Sequence, residues 1–207
     1  MKIKVSTAIP DLLVREALFL GFFSDERPPR GYCGWVDWRL NGMISSEIAQ
    51  GRISGNFLEK IACPFPGRIP VSRLLLFGLG PIAELTYDRL YNAGFEMAKT
   101  AGGMEATDVG LPMPAAGRSH LQLAGMTEAL MTGFFDGYAR EPERLVSMDL
   151  EIPAKPEHVS DILRGLERFR QRAGAAGIEI SESERVADGT DADSQEPSFR
   201  QPVETTL

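Results

Sequence analysis

Arg73-Leu74-Leu75-Leu76-Phe77-Gly78-Leu79-Gly80-Pro81 is the stretch on which the fold turns. The unbroken apolar run Leu74 to Phe77 does not alternate, so it predicts a strand buried on both faces. That is the condition of an inner strand in a sheet covered by helices. Two glycines and a proline directly after it predict a sharp turn. Thr86 then offers an N-cap, and Leu90, Ala93, Met97, Ala98 and Ala101 recur on one helical face until Gly102-Gly103.

Outward from this core the pattern repeats. Upstream, Lys2 to Ser6 alternates as a strand, and Ala17 to Phe23 is a second apolar run of buried-strand type. A turn rich in Pro and Arg covers Arg27 to Gly31. Val36, Leu40, Met43, Ile44 and Ile48 then predict one amphipathic helix from Gly34 to Ala49, closed by Gly51. Phe57 to Phe65 reads as extended, ended by Pro64 and Pro66. Downstream, Thr107 to Leu111 is a short strand, and Ser119 to Arg140 reads as the longest helix, about 30 Å at 1.5 Å per residue. Its inward side is Leu123, Leu130, Met131, Phe134, Phe135 and Tyr138. Leu145 to Ile152 alternates as a strand, and Pro156 to Ala173 is a last helix carrying Val159, Ile162, Leu163, Leu166 and Phe169. Strands alternating with helices call for an α/β fold: a three-layer α/β/α sandwich around a mixed sheet. The expected division is a domain over residues 1–180 and an acidic, disordered tail over 181–207, where no apolar period survives.

Composition bounds the functions. Hydrophobic residues make up 43% and charged residues 25% of 207, the balance of a soluble globular domain. No stretch has the apolar length of a membrane span, and Pro10, Asp11, Arg15 and Glu16 interrupt any signal-peptide core, so a cytoplasmic, non-membrane protein is expected. The formal net charge is −7, and the segment from Ser181 holds seven acids against Arg185 and Arg200. The body is therefore near neutral, with no basic stripe for nucleic acid. Cys33 and Cys63 are the two cysteines, read as buried free thiols rather than a disulfide or zinc pair.

Most catalytic signatures are missing from these residues. There is no His-Glu-x-x-His, no Gly-x-Ser-x-Gly and no phosphate loop ending in Gly-Lys-Ser/Thr. His120 and His158 are the two histidines, too few for a His-rich metal site and read as surface or helix-end residues. No catalytic residue, metal ligand or cofactor is expected. Gly78-Leu79-Gly80-Pro81-Ile82-Ala83 fits Gly-x-Gly-x-x-Gly/Ala between a strand and a helix, which makes Gly78 and Gly80 the candidate binding residues. Three details weigh against a dinucleotide there. Pro81 removes one donor, the helix starts only at Thr86, and Gly110-Leu111-Pro112 supplies no acid for a ribose. The plainer reading is a turn whose glycines permit positive φ. Trp35 and Trp38 share a helix face three residues apart, read as core or interface packing ahead of a ligand platform. Gly133 and Gly137 read as points of close internal packing against the long helix.

The series Arg73 to Pro81 followed by Glu84-Leu85-Thr86-Tyr87-Asp88-Arg89-Leu90-Tyr91-Asn92-Ala93-Gly94 resembles the N-terminal domain of leucyl (cytosol) aminopeptidases. Further pieces fall in that family's order: Phe19 to Glu26, the segment Gly51 to Gly67 with Ala62-Cys63-Pro64-Phe65-Pro66-Gly67, and Phe135-Asp136-Gly137-Tyr138. The resemblance covers about Leu13 to Ile152 and implies a macro-domain-like fold. In that family a second domain holds two divalent metals on Asp, Glu and Lys side chains, with an Asn-Thr-Asp-Ala-Glu-Gly-Arg hallmark. No such segment occurs in these 207 residues.

The expectation is thus a stand-alone homologue of that N-terminal domain, non-catalytic, acting as an interaction or assembly module. Its expected partner is itself or a full-length aminopeptidase. The alternative is a small-molecule domain for ADP-ribose or a nucleotide-like ligand, and a metalloaminopeptidase in its own right ranks third.

Overall fold

The computed structural model describes residues 1–64, 66–174 and 177–183. Seven strands are placed among them: β1 (Lys2–Ser6), β2 (Arg15–Phe22), β3 (Lys60–Pro64), β4 (Val71–Gly78), β5 (Asp108–Gly110), β6 (Asp149–Pro153) and β7 (Glu179–Ser183). They form one sheet in the order β3-β4-β2-β5-β6-β1-β7. The β3–β4 pair is antiparallel and the other pairs are parallel, so the sheet is mixed. The helices are α1 (Gly31–Arg39), α2 (Met43–Ala49), α3 (Tyr87–Gly103), α4 (Leu123–Asp136), α5 (Pro142–Val146) and α6 (Pro156–Ala173).

The opening stretch is β4, held between β2 and β3. Leu75 and Phe77 enter the core under α3, α4 and α6, while Leu74 and Leu76 enter the core under α1 and α2. Two buried faces explain the unbroken apolar run. Phe77 meets Phe19 of β2 with ring centroids 5.3 Å apart. Helices on both faces make the three-layer α/β/α sandwich, as expected.

Between β1 and β2 the chain crosses the β6 and β5 positions in a strap, residues 7–14, that includes a 3-10 turn at Pro10–Leu12. Leu13 of the strap packs on Gly110: a Cβ there would lie 3.2 Å from the Leu13 Cδ1. Arg39 at the end of α1 holds Asp11 of the strap at 2.5 Å.

Four expected elements are revised. The single helix Gly34–Ala49 is two helices, broken where Asn41 and Gly42 take φ of 60° and 75°. Asp37 accepts from the Ser45 backbone N–H at 3.1 Å and from its hydroxyl, placing a carboxylate at the positive end of α2. The helix expected over Ser119–Arg140 runs only from Leu123 to Asp136, and α6 is longer. Leu145–Ile152 is not one strand, because Pro142 opens α5 and β6 starts at Asp149. Finally, β7 extends through Ser183, three residues past the expected domain end at 180; the rest of the acidic tail lies outside the described residues.

Candidate functional site

Open α/β sheets keep their crevices at the carboxyl ends of the strands. Here that crest is formed by the loops after β2, β4, β5 and β6. The loop after β4 contains both candidate glycines. Gly78 N–H donates to the Glu59 carbonyl at 2.8 Å, Leu79 to Phe22 at 2.9 Å and Gly80 to Gly55 at 2.9 Å. Pro81 has no N–H, and Ile82 donates to the Asp25 carboxylate at 3.0 Å. Every backbone donor from Gly78 to Ile82 is thus spent inside the fold. Gly80 has φ of +73°, and a Cβ there would lie 2.8 Å from Arg89 Nη1. At Gly78 a Cβ would lie 2.1 Å from the Asn56 carbonyl oxygen. The glycines answer backbone geometry and close approach.

The loop after β5 roofs the crest. Leu111 to Ala115 are all buried, and two of the five, Pro112 and Pro114, have no N–H to offer. A Cβ on Gly21 in β2 would sit 2.9 Å from the Pro114 Cβ and 2.7 Å from the Leu79 Cδ1, so these two side chains close over that strand end. Phe23 and Met113 are each 1% exposed. Arg118 is paired with the nearly buried Glu26 and lies 5.8 Å from the Phe23 ring centroid. His158 faces Gly117 at the edge of this roof, and His120 is exposed.

The densest set of carboxylates lies elsewhere, between β2, β5, β6 and β1. Arg15 binds Glu151 with Nε at 3.1 Å and a second nitrogen, pairs with Asp108, and lies 3.8 Å from Asp149. Ser6 donates to the other Glu151 oxygen at 2.5 Å. Burial pushes the Glu151 carboxyl up, but the Ser6 and Arg15 hydrogen bonds outweigh it and hold the group below its usual range. The guanidinium occupies the centre where a cation would sit. Among the described residues no group of three or more His, Cys, Asp or Glu is arranged to hold a metal ion. The described residues therefore do not fit the two-metal centre that the aminopeptidase resemblance implies for its second domain.

Residues 20–140 match the cytosol aminopeptidase family, N-terminal domain. The chain belongs to that family. It is 28% identical over 140 residues to a probable cytosol aminopeptidase of Picosynechococcus, covering 66% of this chain and 28% of that protein. A probable cytosol aminopeptidase of Geobacter sulfurreducens is 30% identical over 129 residues, 61% of this chain and 26% of that one. This family member thus spans about a quarter of the length of these relatives. Among solved structures, a mutant of tomato leucine aminopeptidase superposes with a TM-score of 0.59 at 19% identity, over 80% of this chain and 35% of that one. A macrodomain from Oceanobacillus iheyensis superposes with a TM-score of 0.64 at 10% identity, over 81% and 92%. A Trypanosoma brucei macrodomain in complex with ADP gives 0.63 at 12%, over 79% and 67%. The fold of this aminopeptidase-family domain is macro-like.

The sequence reading leaves core or interface packing for the two tryptophans. Trp38 is 65% exposed and Trp35 is half-buried, so neither is a core residue. On the strap, whose Asp11 pairs with Arg39 next to Trp38, Val14 is 78% exposed and Leu12 and Ile9 are each 38% exposed. Among the described residues, no helix is long and apolar enough to cross a membrane.

Proposed function

We propose that this chain works as a non-catalytic interaction and assembly module, a form of the aminopeptidase N-terminal domain whose partner is itself or a full-length aminopeptidase. The observation that carries the reading is the exposed Trp38, beside the strap that bears Leu12 and Val14. Exposed aromatic and aliphatic side chains gathered together on a domain mark contact surfaces, and tryptophan is enriched among the residues that dominate binding energy. Two unpaired thiols, Cys33 and Cys63, suit a reducing, cytoplasmic setting.

The second reading, an ADP-ribose or nucleotide binder, draws support from the macro-like fold, and fold alone does not carry function. The crest geometry opposes it: the Gly78–Ile82 donors are engaged and Leu111–Ala115 fill the roof. Peptidase activity of these residues in isolation ranks third, because two-metal hydrolysis needs ligands placing both ions about 4 Å apart. Native mass spectrometry of the pure chain, alone and mixed with a full-length aminopeptidase, tests the assembly reading. Loss of the complex in Trp38→Ser supports it, and a chain that stays monomeric in both samples contradicts it.

A further inference from the structure

A cleft of about 190 Å³ opens at the end of the sheet opposite the crest, walled by Gly102, Glu105, Thr107, Tyr138, Arg144 and Met148 among others. Tyr138 is 3% exposed, and its phenolic oxygen has no hydrogen-bond partner among the described residues. A buried hydroxyl without a partner costs roughly 1–3 kcal/mol, so its retention calls for an explanation. Gly102 forms the floor beside the ring, since a Cβ there would lie 3.6 Å from Tyr138 Cε1 and 3.8 Å from Arg144 Nη1. Arg144 donates to the Gly102 carbonyl at 2.5 Å, and its Nε pairs with Glu141 at 2.6 Å. Glu105 supplies the carboxylate of the wall, and Met148 with the Tyr138 ring supplies apolar surface.

We propose that this cleft binds a free α-amino acid with a small or medium apolar side chain. The Tyr138 hydroxyl and the Arg144 guanidinium take the α-carboxylate, and the Glu105 carboxylate takes the α-ammonium. The chemistry of the wall selects a zwitterion. A simple anion would meet the Glu105 carboxylate, and a simple cation would leave the phenol without an acceptor. Size agrees: the cleft has the volume of roughly six waters at about 30 Å³ each, the bulk of a molecule with about six to eight heavy atoms. An ADP-ribose is far too large. Burial pushes the Tyr138 hydroxyl up to about 12, with Glu141 adding and Arg144 opposing, so it keeps its proton and donates at neutral pH. Arg144 swings from the Gly102 carbonyl to the guest, uncovering the phenol as it does so. The site stands apart from the assembly surface around Trp38 and does not depend on it.

Valine is the probe, followed by NMR titration of the 207-residue chain at constant ionic strength, with isobutyrate and isobutylamine as half-ligands. The expected result is saturable binding of valine in the millimolar range, roughly tenfold or more tighter than either half. Tyr138→Phe should keep its melting temperature, since it removes only an unpartnered hydroxyl, and should lose about tenfold in valine affinity. Glu105→Gln should erase the advantage of valine over isobutyrate, and Arg144→Ala should weaken both. No saturable shifts up to about 50 mM valine, far above the millimolar range expected, would overturn the proposal. So would unchanged binding in Tyr138→Phe, or half-ligands that bind as well as valine.

Discussion

Gly133 of α4 stands against Tyr91 of α3 at backbone distance: a Cβ added to it would lie 1.9 Å from the Tyr91 carbonyl oxygen. Gly94 of α3 answers from the other side, where a Cβ would lie 2.0 Å from the Leu130 carbonyl oxygen. The two helices are in contact through reciprocal glycines, and neither backbone can yield without moving a whole helix. Gly133→Ala should therefore destabilise the domain by about 3 kcal/mol or more, the upper range for overpacking. Gly103→Ala meets nothing within 4 Å among the described residues and should change stability by less than about 1 kcal/mol. Urea denaturation of the two variants checks the contrast. Equal midpoints would mean that the helices pack with slack.

Glu151 ties stability to acid pH. Its folded-state carboxyl is held below the usual range, net, because Ser6 and Arg15 outweigh the opposing effect of burial. The unfolded chain then binds the proton more readily, so the contribution is present above about pH 4.5 and is lost as pH falls through the folded value. Glu151→Gln should lower stability at pH 7 by roughly 1–3 kcal/mol, with a smaller difference from wild type at pH 3. Denaturation midpoints at the two pH values measure this. A difference that does not change with pH would remove Glu151 from the account.

The edge strand sets where the chain can be cut. Ending it after Ser183 keeps β7 paired with β1 through the full register Lys2↔Glu179 to Ser6↔Ser183. Ending it before Gly177 removes that pairing and the buried Ile178. The first truncation should melt with the full chain, and the second should melt several degrees lower, at about 2–4 °C per kcal/mol lost for a domain of this size. A large drop for the first would mean that residues beyond 183 pack on the body.

Legibility in the sequence followed the strength of the burial signal. β4 was legible because two covered faces leave no polar position between Leu74 and Phe77, and α6 was legible in full because Pro156 opens it and an amphipathic face carries it to Ala173. The break between α1 and α2 was in plain view as Asn41-Gly42, but the apolar spacing ran on through it and masked the turn. β7 gave no signal, since an exposed edge strand reading Glu-Ile-Ser-Glu-Ser lacks the alternation of a half-buried one. The turn at Gly78–Gly80 was placed correctly, yet the partners that consume its donors come from residues 22–25, 55 and 59. The cleft at Tyr138 joins the ends of α3 and α4 to α5 and the start of β6, and no local motif announces such a meeting.

At the crest, Gly80→Ala should destabilise by roughly 1–3 kcal/mol through its φ of +73° and its contact with Arg89, with or without nucleotide present. Thermal melts with and without ADP-ribose check it. A mutant of unchanged stability that loses affinity for ADP-ribose would reassign the loop to binding.

The central claim is that the surface around Trp38 is for assembly and that the crest is closed. Size-exclusion chromatography with light scattering reads it most directly, applied to the pure chain and to the Val14→Ser/Trp38→Ser double variant, each alone and with a full-length aminopeptidase. The account predicts that the wild-type chain forms a complex with itself or with the aminopeptidase, and that the folded variant elutes as a free monomer in both samples. A wild-type chain that remains monomeric throughout, and binds ADP-ribose with a Kd below about 10 μM, would contradict it.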